Sequence, residues 1–143
     1  AAFIQIYKPA YFERIGLRYV NFISRKSLNL EATPFRELIA RKYLGILADE
    51  QLPESNVGQS GVDAQFAVRG GCRVKLHAGP GKVQRAGKSD GEVKFIFDMD
   101  LFMPGNVAPN LSAPALQTLH AQAWALFRDA ITDELHEAME PND

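Results

Sequence analysis

The sequence predicts an α+β domain, a two-layer sandwich whose antiparallel sheet of about four strands carries two helices on one face. Three observations predict it. Four segments alternate apolar and polar residues with the period of two that marks a half-buried strand. Two others, one after the first strand and one near the end of the chain, place apolar residues at helical three- and four-residue intervals. Strands that are dry on one side only leave one face for both helices. The order along the 143 residues is therefore β-α-β-β-β-α, read as one domain over 1–143.

The opening, AAFIQIYKP, places Phe3, Ile4, Ile6 and Tyr7 before Pro9. It fits either the last turns of an apolar helix or a short strand stopped by proline. So abrupt an apolar start is what the C-terminal portion of a longer protein would show. Residues 11–23, YFERIGLRYVNFI, read as a long strand with Ile15, Leu17, Tyr19 and Ile23 on one face, interrupted only by Asn21. The other face carries Phe12, Arg14, Gly16, Arg18, Val20 and Phe22. Arg14 and Arg18 would stand about 13 Å apart with bare backbone at Gly16 between them.

A turn region over 26–32 leads to Thr33-Pro34, a helix entry with a capping hydroxyl and proline at the first helical position. Phe35, Leu38, Ile39, Tyr43, Ile46 and Leu47 then predict an amphipathic helix over about 34–48, with Gly45 weakening its last turn. Residues 48–61 are loop by composition. Val62, Ala64, Phe66 and Val68 face one way on the next strand, with Asp63, Gln65 and Arg69 facing the other. Gly70-Gly71 predicts a tight hairpin turn. Cys72, Val74, Leu76 and Ala78 follow on the dry face, with Arg73, Lys75 and His77 outside.

The basic, glycine-rich stretch GPGKVQRAGKSDG reads as a loop. The fourth strand, EVKFIFDMDLF, puts Val93, Phe95, Phe97, Met99 and Leu101 on the core face and Lys94, Ile96, Asp98, Asp100 and Phe102 on the other. A connection rich in proline and asparagine leads to a helix over about 113–139 capped by Ser112. Leu116, Leu119, Ala123, Phe127, Ile131 and Leu135 trace its apolar stripe, widened by Trp124, Leu126, Ala130 and Met139. At 1.5 Å per residue it would reach roughly 40 Å, enough to cross the sheet.

Composition narrows the function classes. The apolar fraction of 46% and charged fraction of 23% are those of a globular protein. No apolar run approaches the ~20 residues that span a bilayer. No secretory leader pattern opens the chain, and a lone cysteine, Cys72, leaves no internal disulfide, so a cytoplasmic protein is expected. The net charge of −1 conceals a division: residues 1–94 hold 15 basic and 9 acidic residues, residues 95–143 hold 1 and 8. An acidic helix packed beside a basic sheet accounts for this as well as a basic face for an anionic partner does.

Chemistry-bearing motifs are few. His77, His120 and His136 have no partner at ligand spacing, so no metal is expected. AGKS at 86–89 resembles the end of a phosphate-binding loop, but its first glycine would fall at Lys82 and no helix follows. What remains is the polar sheet face, where Arg14, Arg18, Arg73, Lys75, Asp98 and Asp100 project beside Phe12, Phe22, Ile96 and Phe102. Two arginines over a glycine suit a phosphate or a stacked base, and two aspartates on one face suit a divalent ion. Cross-strand pairing of the same arginines and aspartates is the plainer use of them.

The strand RIGLRYVN at 14–21, with FDMDLF at 97–102 and the terminal helix LHAQAWALFRDAITDELHEAM, resembles a sporadically distributed family of uncharacterised prokaryotic proteins that share an Arg-x-Gly-x-Arg-Tyr-x-Asn strand. The resemblance runs from about Tyr11 onward and implies that another α+β region precedes this one. It assigns no activity, and marks Arg14, Gly16, Arg18, Tyr19, Asn21, Asp98 and Asp100 as motif residues.

The expectation is a non-enzymatic binding domain without cofactor. Its candidate binding residues are Arg14, Arg18, Asn21, Arg73, Lys75, Asp98 and Asp100. The partner would be the N-terminal region of its own full-length chain, another protein, or an anionic ligand or nucleic acid. The alternatives are an enzyme acting on a phosphorylated or nucleotide-like substrate through the Arg/Asp face, and a homodimerisation domain.

Overall fold

The computed structural model describes residues 2–7, 15–85, 87–103 and 112–140. Its centre is β7 (Lys94–Met103), on which Phe95, Phe97, Met99 and Leu101 are all but fully buried. The strand's alternate large apolar residues give it one dry face, as in antiparallel sheets packed on one side. β2 (Ile15–Ile23) and β4 (Arg73–Gly81) flank it, and β1 (Ala2–Tyr7) and β3 (Val62–Ala67) form the edges, giving the order β1-β2-β7-β4-β3. Every neighbouring pair is antiparallel. The opening segment is thus a strand and adds a fifth to the four expected. Residues 11–14 lie outside those described.

The layer on the dry face consists of residues 35–48, α1 (Ser112–Ala130) and α2 (Asp133–Met139), completing the α+β sandwich. Phe97 fixes its centre, with Tyr43 edge-on at 5.1 Å and Phe127 at 6.2 Å between ring centroids. Cys72 is fully buried and burial pushes its thiol up, as fits a small core residue. No helix among the described residues is long and apolar enough to cross a membrane.

Two helical segments differ from expectation for one shared reason. Over 35–48 the chain forms three short 3-10 turns instead of an α-helix. The Ala40 N–H donates to the Ala130 carbonyl (2.7 Å), the Thr132 N–H donates to the Leu38 carbonyl (2.9 Å), and Ile39 bridges Ile131 as two strands would. Backbone groups spent on that bridge are lost to an i→i−4 ladder. Gly45, at φ 56°, breaks the segment again and turns Ile46 outward. The bridge likewise divides the C-terminal helix at Ile131, and Thr132 restarts it by accepting the Leu135 N–H at its hydroxyl.

An ion pair fastens the start of this layer to the sheet. Arg25 meets Glu54 at 2.6 Å, lies 3.7 Å over the Phe35 ring and donates to the Thr33 carbonyl, while Glu54 accepts the Phe35 N–H. The β3–β4 hairpin turns where expected, with Gly70 and Gly71 both at positive φ, but the turn takes in Arg69 as well and is longer than the two-glycine turn predicted. Between β4 and β7 the basic stretch is more ordered than predicted. It forms a small two-stranded ribbon, β5 (Gln84–Arg85) and β6 (Lys88–Ser89).

Candidate functional site

The face of the sheet away from the helices is built by the polar positions of β2, β7, β4 and β3. Register brings their side chains into rows. Arg18, Asp100, Lys75 and Gln65 form one row across the four strands, and Val20, Asp98, His77 and Asp63 form the next. Arg18 stands opposite Asp100 but reaches diagonally to Asp98. Its Nε donates to Oδ1 at 3.1 Å and its Nη2 to Oδ2 at 2.7 Å. Diagonal neighbours on adjacent strands lie within reach of so long a side chain, and the planar guanidinium matches the carboxylate bidentately.

Further along the second row, His77 Nδ1 and Asp63 Oδ1 are 2.8 Å apart. Lys75 faces Asp100 directly across β4 and β7. Arg18 and Lys75, the cations of the first row, each have an acid on a neighbouring strand, and in the second row His77 stands between Asp98 and Asp63.

Apolar groups frame these rows. Phe102, opposite Arg73 and Gly16, lies at one end, and Phe22, opposite Ile96, at the other; all three large side chains are half-buried. Val20 is only 5% exposed although it lies on the face away from the main core. It sits in a strand that is paired on both sides.

A groove of about 310 Å³ takes in Arg73, Lys75, Asp100, Phe102 and Gln65, and includes neither Arg18 nor Asp98. A larger depression, about 520 Å³, lies elsewhere, around Arg25, Thr33, Phe35, Glu54, Pro80 and Val93. Its charged pair is already committed to holding the fold.

Of the candidate residues, Arg18, Arg73, Lys75, Asp98 and Asp100 come together on this face. Asn21 does not: it lies between Tyr19 and Ile23 on the helix-covered side of β2, half-buried and opposite Phe97. Arg14 and Phe12 lie outside the described residues. No group of three or more His, Cys, Asp or Glu side chains among the described residues is placed to hold a metal ion. Asp98 and Asp100 share a face, but Asp98 is occupied by Arg18.

One contact escaped the sequence reading. The Tyr19 hydroxyl and His120 Nδ1 share a hydrogen bond of 2.6 Å that ties β2 to α1, and burial pushes the Tyr19 phenol above its ordinary value. His120 follows the fully buried Leu119, so its ring stands at the margin of the helix–sheet seam. That neighbour was the available signal. His136 lies near Glu140, 3.5 Å away within the same turn.

Compared with family models, with curated proteins and with solved structures, the chain matches none.

Proposed function

We propose that this chain is a non-enzymatic binding domain that docks through its open sheet face onto a second folded protein surface. The observation that supports this most is the pairing of charge within the face: Arg18 with Asp98 and Lys75 facing Asp100, with the His77–Asp63 hydrogen bond beside them. A surface that gathers an anion leaves its cations uncompensated, and this one distributes both signs in register. Half-buried Phe22, Ile96 and Phe102 beside these rows offer apolar contact surface, and charges of both signs in register would give a protein partner its orientation. The enzyme alternative draws on Arg14, Arg18, Asp98 and Asp100; Arg18 and Asp98 hold each other, and of the three that lie among the described residues only Asp100 lines the groove. On this reading the chain belongs with the prokaryotic proteins that its RIGLRYVN strand resembles, and the motif arginine Arg18 shapes an interface.

Site-specific photo-cross-linking tests the proposal. Benzoylphenylalanine is placed at position 75 on the sheet face and, in a separate variant, at position 121 on the exposed side of α1, in the cells that make the protein. A discrete protein adduct from position 75 and none from position 121 supports docking through the sheet. An adduct at twice the chain's own mass identifies a second copy as the partner. Equal adducts from both positions, or none from position 75, contradict the proposal.

A further inference from the structure

The sheet face balances its charges, but the ribbon between β4 and β7 does not. It contains Lys82, Arg85 and Lys88, against Asp90 and Glu92 at its base. Both acids are consumed there. Asp90 pairs with Lys94 at 2.8 Å and accepts the Glu92 N–H at 3.0 Å. Glu92 accepts from the Ser24 hydroxyl at 2.8 Å and from the Lys26 N–H at 3.1 Å. Lys82 and Lys88 are exposed and make no ion pair among the described residues, and the same holds for Lys26 on the adjoining turn. Arg85 is paired with Lys88 in the ribbon register and adds its charge to the same short segment. The base that neutralises the acids also ties the ribbon to the end of β2, so the exposed Lys82 and Lys88 stand on an anchored segment.

From this arrangement we infer that the 82–89 ribbon is a contact for the phosphodiester backbone of double-stranded nucleic acid. The chemistry of the ribbon separates this from other anionic partners. It carries no aromatic side chain, so it offers no platform on which an unpaired base stacks. Its one sizeable apolar residue, Val83, is half-buried, which leaves no anchor of the kind that dominates protein interfaces. Cations on a narrow two-stranded ribbon suit phosphate contacts, which position a protein on a duplex without reading its sequence. The inference is independent of the docking role proposed for the sheet, since the two surfaces share no residue.

Fluorescence anisotropy with a labelled duplex of arbitrary sequence tests it, using the intact chain, the triple variant Lys82→Glu/Arg85→Glu/Lys88→Glu and the sheet variant Arg18→Ala. Three or four phosphate contacts predict a fall in affinity of roughly 40- to 150-fold between 50 and 200 mM salt. Binding with that slope, lost in the triple variant and retained in Arg18→Ala, supports the assignment. Circular dichroism melting of the triple variant confirms that loss of binding is not loss of fold. Absence of duplex binding at 50 mM salt overturns the proposal. Binding that survives in the triple variant overturns it too, as does sedimentation with phosphatidylserine vesicles but not with duplex.

Discussion

Arg18 and Asp98 grip each other through two N–H···O contacts, 3.1 and 2.7 Å, across neighbouring strands at the middle of the open face. The pair commits Arg18 to a carboxylate of its own chain. Val20, opposite Asp98, is dry on a face that no helix among the described residues covers. Because the Arg18 side chain is 46% exposed, solvent screens much of the attraction. A double-mutant cycle with Arg18→Ala and Asp98→Ala should give a coupling of roughly 0.5–1 kcal/mol in urea denaturation, smaller at high salt. A coupling indistinguishable from zero would mean that the pair does not hold in solution.

The Tyr19–His120 bond makes a prediction with a sign. Tyr19→Phe removes a hydroxyl bonded across the helix–sheet seam and should cost about 0.5–1.5 kcal/mol at neutral pH. Burial raises the Tyr19 pKa above its ordinary 10.0, so the folded chain keeps the proton at pH values where the unfolded chain has released it. Stability from this group is fully present below that ordinary value and is lost as pH rises through the folded one. The gap between the native chain and Tyr19→Phe should therefore narrow above pH 10. Tyr43, raised for the same reason, acts equally in both proteins. Urea midpoints measured across the alkaline range decide it.

Gly79 marks a close approach. A Cβ there would lie 2.5 Å from the Ser60 carbonyl oxygen and 3.0 Å from the Gly61 Cα, both backbone atoms that cannot rotate away. Gly79→Ala should destabilise by roughly 1–3 kcal/mol. Gly58→Ala meets nothing within 4 Å and serves as the control, neutral or stabilising by up to ~1 kcal/mol. Thermal melts of the two variants should move apart.

Thr132 holds the junction between the helical pieces. Its hydroxyl donates to the Glu37 carbonyl at 2.8 Å and accepts the Leu135 N–H. Thr132→Ala should cost about 1 kcal/mol and speed hydrogen exchange in α2 more than in α1. Uniform acceleration across both helices would assign the residue a global role instead.

These contacts also show how much the sequence discloses. Period-two alternation placed Arg18, Lys75, Asp98 and Asp100 on one face, because a strand's side chains alternate regardless of its neighbours. The Gly70-Gly71 pair located the β3–β4 hairpin but not its register: a two-residue turn there would set Asp63 against Ala78, whereas the turn also takes in Arg69 and sets Asp63 against His77. The bridge between Ile39 and Ile131 was not legible. It joins segments 92 residues apart and overrides local helical periodicity on both sides. Asn21 entered the candidate set through its spacing from Arg18 alone; alternation puts it on the opposite face, where it stands opposite Phe97.

The claim most in need of measurement is that another protein covers the sheet face. Asp63 on that face and Asp133 at the start of α2 have side chains 79% and 87% exposed in the isolated chain, so a carbodiimide should label both readily. In extract from the cells that make the protein, the docked chain should show Asp63 protected several-fold and Asp133 labelled as before. Equal labelling of the two carboxylates in extract and in isolation would contradict the account.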